Sequence, residues 1–504
     1  MRRVLPTVVY NPLTLIGSVI AGFNLGLMVL LLVINLASAR PSPYADLIIL
    51  LILPVFVLAG VTLIIIGIVR QRRRRQAGVA EGSRLLVIDF NDSRQRTWVI
   101  LVSISFIILT LIYAFAMYQG YEFVESDYFC GQACHSVMGP EYTAHAGSYH
   151  AQVECSACHV GSGTNYFLIS KFRGVNQLSE LLLDSYSRPI PVPLTDLRPS
   201  KQICGSCHAP ETQLTAIQEE RTFYLSDAGN TPWKIDILFK VAGGSVETDN
   251  LSRMHWHSSV ASEIDYATAD PRREDIPWIR AVGLDGQQTI YFAKGSKSRE
   301  QVPAGARTFE MDCNDCHNRT GHDFSPADKI INGLINTGSV DPSLPGLKSV
   351  ASKTLDGTYA TQDDGVKAID TTITEYYRKS HPEVYASKKE KIENSIEAIQ
   401  DAYRQNYNPA MRASWKDFPD NSGHMYTMGC FRCHDDNHVS SDGKVLSKDC
   451  SVCHLLLEER VEAAPGQVTL TNDPYPHPVD IGDSYRDKYC SDCHGPSAGR
   501  ETNP

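Results

Sequence analysis

The chain has 504 residues and a formal net charge of −10, with 43% hydrophobic and 21% charged residues. A net-acidic chain is not expected to bind nucleic acid, whose phosphates select basic surfaces. The mean hydropathy of −0.20 is an average over two unlike parts. The long apolar runs lie before residue 119, and the remainder is polar and contains many Pro and Gly residues.

Three apolar stretches fill the N-terminal part, at residues 13–37, 47–69 and 98–118. None contains a charged residue, and each is long enough to cross a hydrocarbon layer of about 30 Å as a helix. A buried soluble helix or a cleaved signal peptide is less favoured at this length and purity. The sequence therefore predicts three N-terminal transmembrane helices in contact with the lipid bilayer.

Arginine residues orient these three spans. Arg2 and Arg3 precede the first span, and an arginine cluster occupies the 70–97 loop between the second and third spans. The positive-inside rule places the N-terminus and this loop in the cytoplasm. Residue 119 and all that follows are then expected in the periplasm, outside a bacterial inner (cytoplasmic) membrane.

The polar part contains seven copies of one cysteine motif, in which a histidine directly follows the second cysteine of a closely spaced pair. Numbered 1 to 7 in chain order, these are Cys130–Cys134–His135, Cys155–Cys158–His159, Cys204–Cys207–His208, Cys313–Cys316–His317, Cys430–Cys433–His434, Cys450–Cys453–His454 and Cys490–Cys493–His494. Cys-x-x-Cys-His is the attachment signature of c-type haem: the thiols bind the porphyrin and the histidine is the proximal iron ligand.

Zinc and disulfides are the competing interpretations of this pattern. The seven motifs use all 14 cysteines, so none is left for a disulfide. Structural zinc does not require a histidine after every second cysteine. We therefore predict seven covalently bound haem c groups and a proximal ligand from each motif histidine. Motif 1 has three residues between its cysteines, so its loop must bulge.

The first haem is expected at the membrane face, because only the short link 120–127 separates the third span from motif 1. Residues 166–186 form an amphipathic pattern that is consistent either with a helix on the membrane surface or with a helix packed on haem. The predicted division is a membrane anchor at 1–118, a trihaem unit at 119–221, a cysteine-free β-containing insert at 222–310 and a C-terminal tetrahaem unit at 311–504.

The fold class predicted for the periplasmic domain is a largely α and irregular, haem-packed structure with a small β-containing insert. Strands are expected at 233–241 and 289–293, where β-branched and aromatic residues predominate. Within the helical insertion, at about 326–410, helical periodicity predicts helices at 364–379 and 382–407. Motifs 5, 6 and 7 follow at short intervals, so their three haems are expected close together.

Each low-spin haem needs a second axial ligand, usually His or Met. Nine histidines lie outside the motifs. The predicted distal ligands are Met138, His150, His255, His257, His322, His424, His438 and His477. His381 and His145 are the weaker candidates, and His145 is also a polar group near the first haem. In a strand, His255 and His257 would point to the same face.

Several segments resemble a known family. Motif 1 with Met138, the following Glu141-Tyr142 and Ser148-x-His150, and motif 2 with Val160-Gly161 resemble the membrane-anchored multihaem quinol dehydrogenases of the NapC/NirT/NrfH family. Over most of the chain, including Arg188-Pro189-Ile190-Pro191 and His255-Trp256-His257, it is most similar to the larger seven-haem inner-membrane cytochromes of the ImcH type.

The resemblance implies that menaquinol or ubiquinol is oxidised at the first haem and that electrons pass to periplasmic cytochromes or reductases. Lys171 matches the lysine of the family's quinol site, but Leu178 stands where the family has an aspartate, with Gln177, Glu180 and Asp184 nearby. Quinol oxidation also releases protons, so a proton-accepting group is required. The candidates are Lys171, Glu141, His145, Glu180 and Asp184.

The favoured function is quinol:cytochrome c-type oxidoreductase, a quinol dehydrogenase that feeds a haem relay. A second hypothesis is a relay or anchor subunit of a larger respiratory complex without quinol chemistry of its own. A third is a terminal reductase that binds its substrate at a five-coordinate haem. The supply of histidines argues against the third hypothesis, because no iron is obviously without a ligand.

Overall fold

The computed structural model describes residues 11–37, 53–76, 91–133, 136–160, 164–194, 197–208, 216–241, 254–258, 263–283, 285–461, 468–469, 475 and 477–496. The chain divides into two compact units. One comprises Met1–Ser126 with His159–Leu178, and the other comprises Asp127–Cys158 with Ser179–Pro504.

Helices α1 (Pro12–Ala37) and α2 (Leu53–Gln76) pack closely against each other through glycine. A Cβ atom at Gly17 would lie 2.5 Å from the Gly60 carbonyl oxygen, and one at Gly60 would lie 2.7 Å from the Ala21 nitrogen. Helices in lipid gain contact area when small residues let their backbones approach in this way. Both helices are long and apolar enough to cross a membrane.

Helix α3 (Ser93–Glu125) covers the third predicted span. Its N-terminus is capped by Asp92, whose carboxylate accepts a hydrogen bond of 2.9 Å from the Arg94 backbone nitrogen. Among the described residues, the two helices that meet the length and hydropathy requirements of a span are α1 and α2. The third crossing therefore stays a prediction.

Short helices follow, and most of them begin or end at a cysteine motif: α4 (Gly139–Ala146), α5 (Cys155–His159) and α7 (Ser200–Cys204). Between α5 and α7 lies the longer α6 (Thr164–Leu182), which confirms that the amphipathic pattern at 166–186 is helical. A π-helical turn at Phe129–Ala133 contains the first part of motif 1, where the extra residue predicted a bulge.

Two antiparallel sheets follow. The first has the order β1-β2-β8-β9, and the second has the order β6-β3-β4-β5-β7. The strands are β1 (Ile217–Tyr224), β2 (Pro232–Phe239), β3 (Glu263–Thr268), β4 (Trp278–Val282), β5 (Gln288–Ala293), β6 (Arg307–Glu310), β7 (His438–Ser440), β8 (His454–Val461) and β9 (Val468–Thr469).

The sheets make the soluble part a mixed α/β domain rather than a largely α and irregular one. Both predicted strands are present, as β2 and β5. The β-structure is nevertheless not confined to the predicted insert, because β7, β8 and β9 come from the C-terminal part of the chain. In the second sheet Ala293 of β5 pairs with His438. In the first, Phe239 of β2 pairs with His454, the motif 6 histidine.

The largest core is helical and contains no motif cysteine. It is formed by α9 (Ala327–Asn336), α10 (Leu347–Leu355), α11 (Gln362–Ser380) and α13 (Lys389–Asn406). The buried side chains of α11 are spaced four apart, at Ile369, Ile373 and Tyr377, as one face of a helix requires. The helix predicted at 364–379 is confirmed. The one predicted at 382–407 is divided at Lys388 into α12 (Pro382–Ser387) and α13.

Candidate haem sites

Five motif histidines each face a histidine from elsewhere in the chain. The pairs, with the distance between ring centroids, are His208–His150 at 6.1 Å, His317–His255 at 6.3 Å, His434–His257 at 5.9 Å, His454–His424 at 6.1 Å and His494–His477 at 6.4 Å. A metal–imidazole bond is about 2 Å long, so two imidazoles on one metal have centroids about 6 Å apart. All five pairs have the spacing that one iron between two rings requires.

The second ring nitrogen of several paired histidines is occupied by a backbone carbonyl. The Nδ1 atom lies 3.1 Å from Thr320 O in His150, 2.7 Å from Met254 O in His257, 3.1 Å from Ser447 O in His434 and 2.7 Å from Val479 O in His477. Metal-binding histidines characteristically donate their other N–H in this way, which fixes the tautomer and the ring orientation. Nε2 is then the ligating atom, so the residues present fit haem.

Two local structures place these rings. The sequence Met254–Ser258 forms a 3₁₀ turn instead of a strand, so His255 and His257 do not share one face. Instead, they face the histidines of motifs 4 and 5, respectively. Motif 4 begins at α8 (Cys313–Cys316), whose N-terminus is closed by a capping box between Asp312 and Asp315. Motif 7 occupies α14 (Cys490–His494), where the Asp492 carboxylate accepts a 2.9 Å hydrogen bond from the Tyr489 backbone nitrogen.

Neighbouring motifs lie close together in an order that follows the sequence. Cys155 of motif 2 lies near Cys130, and Cys158 lies near Cys204. The sulfur atoms of Cys204 and Cys313 lie beside each other, which places motif 3 next to motif 4.

Beyond motif 4 the arrangement becomes compact. Cys316 lies within electrostatic range of Cys430, and Cys453 of motif 6 lies within range of both. Cys490 of motif 7 lies near Cys450. The cysteines of motifs 4, 5 and 6 therefore form one cluster, and motif 7 adjoins it through motif 6. The three C-terminal motifs are close together, as the sequence predicts.

The remaining predicted ligands are in different surroundings. Met138 ends a 3₁₀ turn, Ser136–Met138, and Cys134 and His135 lie outside the described residues. The rings of His145 and His322 are 5.8 Å apart, although neither belongs to a motif. His322 Nδ1 lies 2.9 Å from Glu141 O. His145 is buried, with its two ring nitrogens 3.1 Å from Gly321 O and 2.9 Å from Val153 O.

The acid candidates for proton transfer also differ in environment. Glu141 is half-buried, and its Oε2 atom has no hydrogen-bond partner in the described part of the chain. Burial raises the pKa of the Glu141 carboxyl, and the positive charge of Arg319 partly offsets this rise. Asp184 is exposed and forms a 2.5 Å ion pair with Arg188. Glu180 and Lys171 lie on α6, and the side chain of Lys171 is outside the described atoms.

His438 is buried but does not face a motif histidine at ring-pair distance. Its Nδ1 atom lies 2.8 Å from Asp435 Oδ1, and its Nε2 atom lies 2.6 Å from Ile276 O. Both nitrogens therefore meet oxygen acceptors, and neither is left for an iron. This geometry favours a structural role, in which His438 ties the start of β7 to the segment before β4.

We predict that His438→Gln leaves the low-spin absorption of every haem unchanged. The variant should lower the free energy of unfolding by about 1–3 kcal/mol, because buried hydrogen bonds are lost. The spectrum and a denaturant titration measure the two effects. His424→Gln is the matched variant and should produce a high-spin band. A high-spin band in His438→Gln would instead show that His438 binds iron.

Sequence analysis missed two half-buried residues in this region, Asp127 and Arg319. Asp127 Oδ1 accepts a 2.7 Å hydrogen bond from the Cys155 nitrogen and so caps the turn of motif 2. Arg319 stacks on Phe418, with 4.7 Å between the guanidinium carbon and the ring centroid, and burial lowers its pKa to about 10. Neither residue belongs to a recognisable motif; the one available signal was that Arg319 lies two residues after the motif 4 histidine.

The fold and these sites define a membrane-anchored c-type cytochrome with several haems. Residues 92–189 match the model of the NapC/NirT cytochrome c family, N-terminal region. The chain is 36% identical, over 96% of its length and 95% of the relative's, to the cytochrome c-type protein ImcH of Geobacter sulfurreducens. The chain belongs to the NapC/NirT cytochrome c family. No solved structure matches it.

Proposed function

We propose that this protein oxidises quinol in the bacterial inner membrane and passes the electrons through seven haems to acceptors in the periplasm. The observation that carries this proposal is the unbroken series of neighbouring motifs, five of which have a second histidine at one-iron spacing. Such a series serves to move electrons over a distance. The membrane anchor and the family to which the chain belongs support quinol as the donor.

The membrane topology belongs to the proposal. Three crossings, through α1, α2 and α3, would place the arginines of the 70–97 loop in the cytoplasm and residue 119 onward in the periplasm. The acceptors are then periplasmic cytochromes or reductases. An acidic protein favours basic partners, because complementary charge steers their encounter.

Helix α6 supports the proposal through its apolar surface. Phe172, Val175, Leu178 and Leu182 recur at intervals of three or four residues, which places them on one side of the helix, and they are exposed, Phe172 at 75% and Val175 at 68%. A contiguous apolar face of this kind fits the interfacial zone of a bilayer. Of the two interpretations left open by the sequence, we favour the membrane-surface helix, which would hold Lys171 close to the quinol.

This placement predicts that α6 is labelled by lipid. A photoactivatable phospholipid should crosslink to peptides of 164–182 in the full-length protein in liposomes, and Phe172→Asp should reduce that labelling. Peptides of the charged helix α11 provide the internal control and should remain unlabelled. Equal labelling of the two helices would contradict the proposed position of α6.

The proposed chemistry divides quinol oxidation between two kinds of group. Bound haem accepts one electron at a time and no proton. The protein must therefore take the protons, and a positioned base typically accelerates such a step by about 10²–10⁴-fold. Lys171 is our first choice, through its match to the family. Glu141 is the second: its buried, unpartnered Oε2 and its raised pKa are suited to holding a proton.

Stopped-flow mixing of the oxidised, full-length protein with a menaquinol analogue tests the function. We expect prompt reduction of several haems, blocked by a quinone-site inhibitor. If dithionite reduces all the haems and the quinol reduces none, the chain is a relay subunit that depends on a partner within a respiratory complex. A high-spin iron that binds nitrite or sulfite would favour the terminal reductase instead.

The ligand pairs make a spectroscopic prediction. The two ring planes are nearly parallel in His454–His424, at 13°, and in His494–His477, at 19°. They are steeply inclined in His208–His150, at 67°, His317–His255, at 56°, and His434–His257, at 88°. When the two imidazole planes are parallel, two of the iron d orbitals differ in energy. When the planes are perpendicular, the same two orbitals have nearly equal energies.

We therefore expect rhombic low-spin EPR signals from haems 6 and 7 and strongly anisotropic signals from haems 3, 4 and 5. His477→Met should remove one rhombic signal and leave the other. If that substitution changed only a strongly anisotropic signal, the assignment of His477 to the seventh haem would be incorrect.

A further inference from the structure

A buried ion pair lies in the helical core beside motif 7. Lys348, at the start of α10, is 3% exposed, and its Nζ atom lies 2.6 Å from Asp328 Oδ1 on α9. The ammonium group also donates to Asn332 Oδ1 at 2.9 Å and to the carbonyl of Tyr224. All three hydrogens of the ammonium group are thus directed at oxygen atoms. The ammonium charge is thus buried and fixed in position, whereas the Asp328 side chain is 32% exposed.

A gain in folding stability does not explain why an ion pair occupies this position. Burying the ammonium group costs several kcal/mol, and replacing a buried ion pair with apolar residues of similar volume is often neutral or stabilising. The neighbours of Lys348 on α10, Leu347 and Ala351, show what the core otherwise uses at such positions. A role beyond packing is therefore worth seeking in what lies next to the pair.

Tyr426 links the ion pair to motif 7. Its hydroxyl donates to Asp328 Oδ2 at 2.8 Å, and Asn332 Nδ2 donates to the same oxygen at 3.1 Å. A Cβ atom at Gly495, the residue after the motif 7 histidine, would lie 3.1 Å from the carbonyl oxygen of Tyr426. Two residues further on, Met428 Sδ accepts a 3.5 Å hydrogen bond from Ser491 Oγ inside the motif.

Tyr426 therefore brings the ion pair close to motif 7: its hydroxyl binds Asp328, and its carbonyl packs against Gly495, the residue after His494. The field of charges this near would act on the charge of an iron held by His494. An anion favours the more positive, oxidised iron, and a cation favours the reduced iron.

We propose that the Asp328–Lys348 pair sets the reduction potential of the seventh haem, with Asp328 lowering the potential and Lys348 limiting the decrease. Both are positioning residues that act through the field at His494 and not by contact with substrate. This proposal rests on the proposed function, because it requires a haem at motif 7. A lowered potential at the last haem of the series would help it to pass electrons onward instead of retaining them.

The two charges predict opposite shifts. Asp328→Asn removes the anion, so the potential of the seventh haem should rise. Lys348→Met leaves the carboxylate unpaired but still bonded to Tyr426 and Asn332, so the potential should fall. The double variant should return close to the wild-type value, slightly above it. Lys348→Arg retains the charge and should leave the potential nearly unchanged.

An EPR-monitored redox titration of the full-length holoprotein measures these shifts on the rhombic signals of haems 6 and 7. Asp341→Asn and Lys391→Met remove the members of a second ion pair on the same helical scaffold, 2.7 Å apart, and should shift neither signal. Unchanged potentials in the Asp328 and Lys348 variants, or shifts of the same sign, would overturn the proposal, since damage to the scaffold has no reason to follow the sign of the charge.

The experiment separates this proposal from the proposed function. If His477→Met removes no rhombic signal, the seventh haem is not held as proposed, and the proposal fails with it. Seven haems and two rhombic signals that do not respond to the substitutions would leave the relay in place and reject the role of the ion pair. If Asp328→Asn does not fold, the potential of Lys348→Met alone tests the proposal. This variant should fold because methionine fills nearly the same space as the aliphatic part of the lysine side chain.

Discussion

Replacing Lys171 with methionine is expected to slow reduction of the oxidised protein by a menaquinol analogue about 100-fold, the lower limit for losing a positioned proton acceptor. The rate of reduction by dithionite should not change, because dithionite transfers electrons without releasing a proton that a protein base must accept. Stopped-flow absorption in the haem α-band measures both rates on the same sample. The ratio of the two rates isolates the quinol step from any loss of haem.

Two companion variants make this result specific. Lys389→Met removes an exposed lysine paired with Glu393 on α13 and should leave the quinol rate at the wild-type value. Glu141→Gln tests the second candidate, whose buried carboxyl has a raised pKa. A large loss in Glu141→Gln together with full turnover in Lys171→Met would transfer the role to Glu141. Full turnover in both would leave neither residue as the acceptor.

The chemistry of the sites could be predicted from the sequence, but their pairing could not. A motif histidine is identified by its two cysteine neighbours, and no fold is needed to find it. The partner of His208 is His150, and that of His317 is His255. Each of these pairs is separated by more than 50 residues, so the chain path alone decides which rings meet.

The number of histidines alone also cannot identify which of them bind iron. Nine histidines outside the motifs roughly match seven irons, which made His438 a reasonable candidate. Its local sequence contains no sign that Asp435 and the carbonyl of Ile276 would occupy both ring nitrogens. Lys348 is a similar case, because the sequence around Gly346-Leu347 does not distinguish it from a surface lysine, and Asp328 is brought beside it from another helix.

The secondary structure also divides into features that the local sequence predicts and features that depend on distant pairing. The helices at 364–379 and 382–407 depend on local periodicity and were found, apart from the interruption at Lys388. The sheets depend on distant pairing, such as that of Trp233 with Val461, which no local pattern encodes. The result is a mixed α/β domain in which strands from both sides of the predicted boundary at residue 310 share their hydrogen bonds.

In the proposed ligand pairs, the turn Met254–Ser258 would supply ligands to two neighbouring haems, so substitutions there should interrupt the relay. His255→Met should raise the potential of the fourth haem on the order of 100 mV, because a thioether ligand favours reduced iron more than imidazole does. Moving one electron charge against 100 mV costs about 2.3 kcal/mol. That cost corresponds to roughly 50-fold slower transfer from the fourth haem to the haems that follow.

The arrangement of the motifs makes this the most damaging position. Motif 3 adjoins motif 4 through Cys204 and Cys313, so electrons that move from each motif to its neighbour pass through the fourth haem. After mixing with quinol, the first four haems should therefore be reduced promptly and the last three slowly. Absorption and EPR signals recorded on rapidly frozen samples distinguish the two groups, since the rhombic signals belong to haems 6 and 7.

His257→Met supplies the contrast, two residues along the same turn. It should raise the potential of the fifth haem, yet electrons can still move from motif 4 to motif 6, because Cys453 lies near Cys316 as well as near Cys430. Its effect on the rhombic signals should therefore be much smaller. His381→Met is the control: His381 meets the Tyr376 hydroxyl at 3.2 Å, and no potential should change. Equal delays in the His255 and His257 variants would mean that electrons pass through the fifth haem in single file, and the cluster of motifs 4, 5 and 6 would not be a branch point.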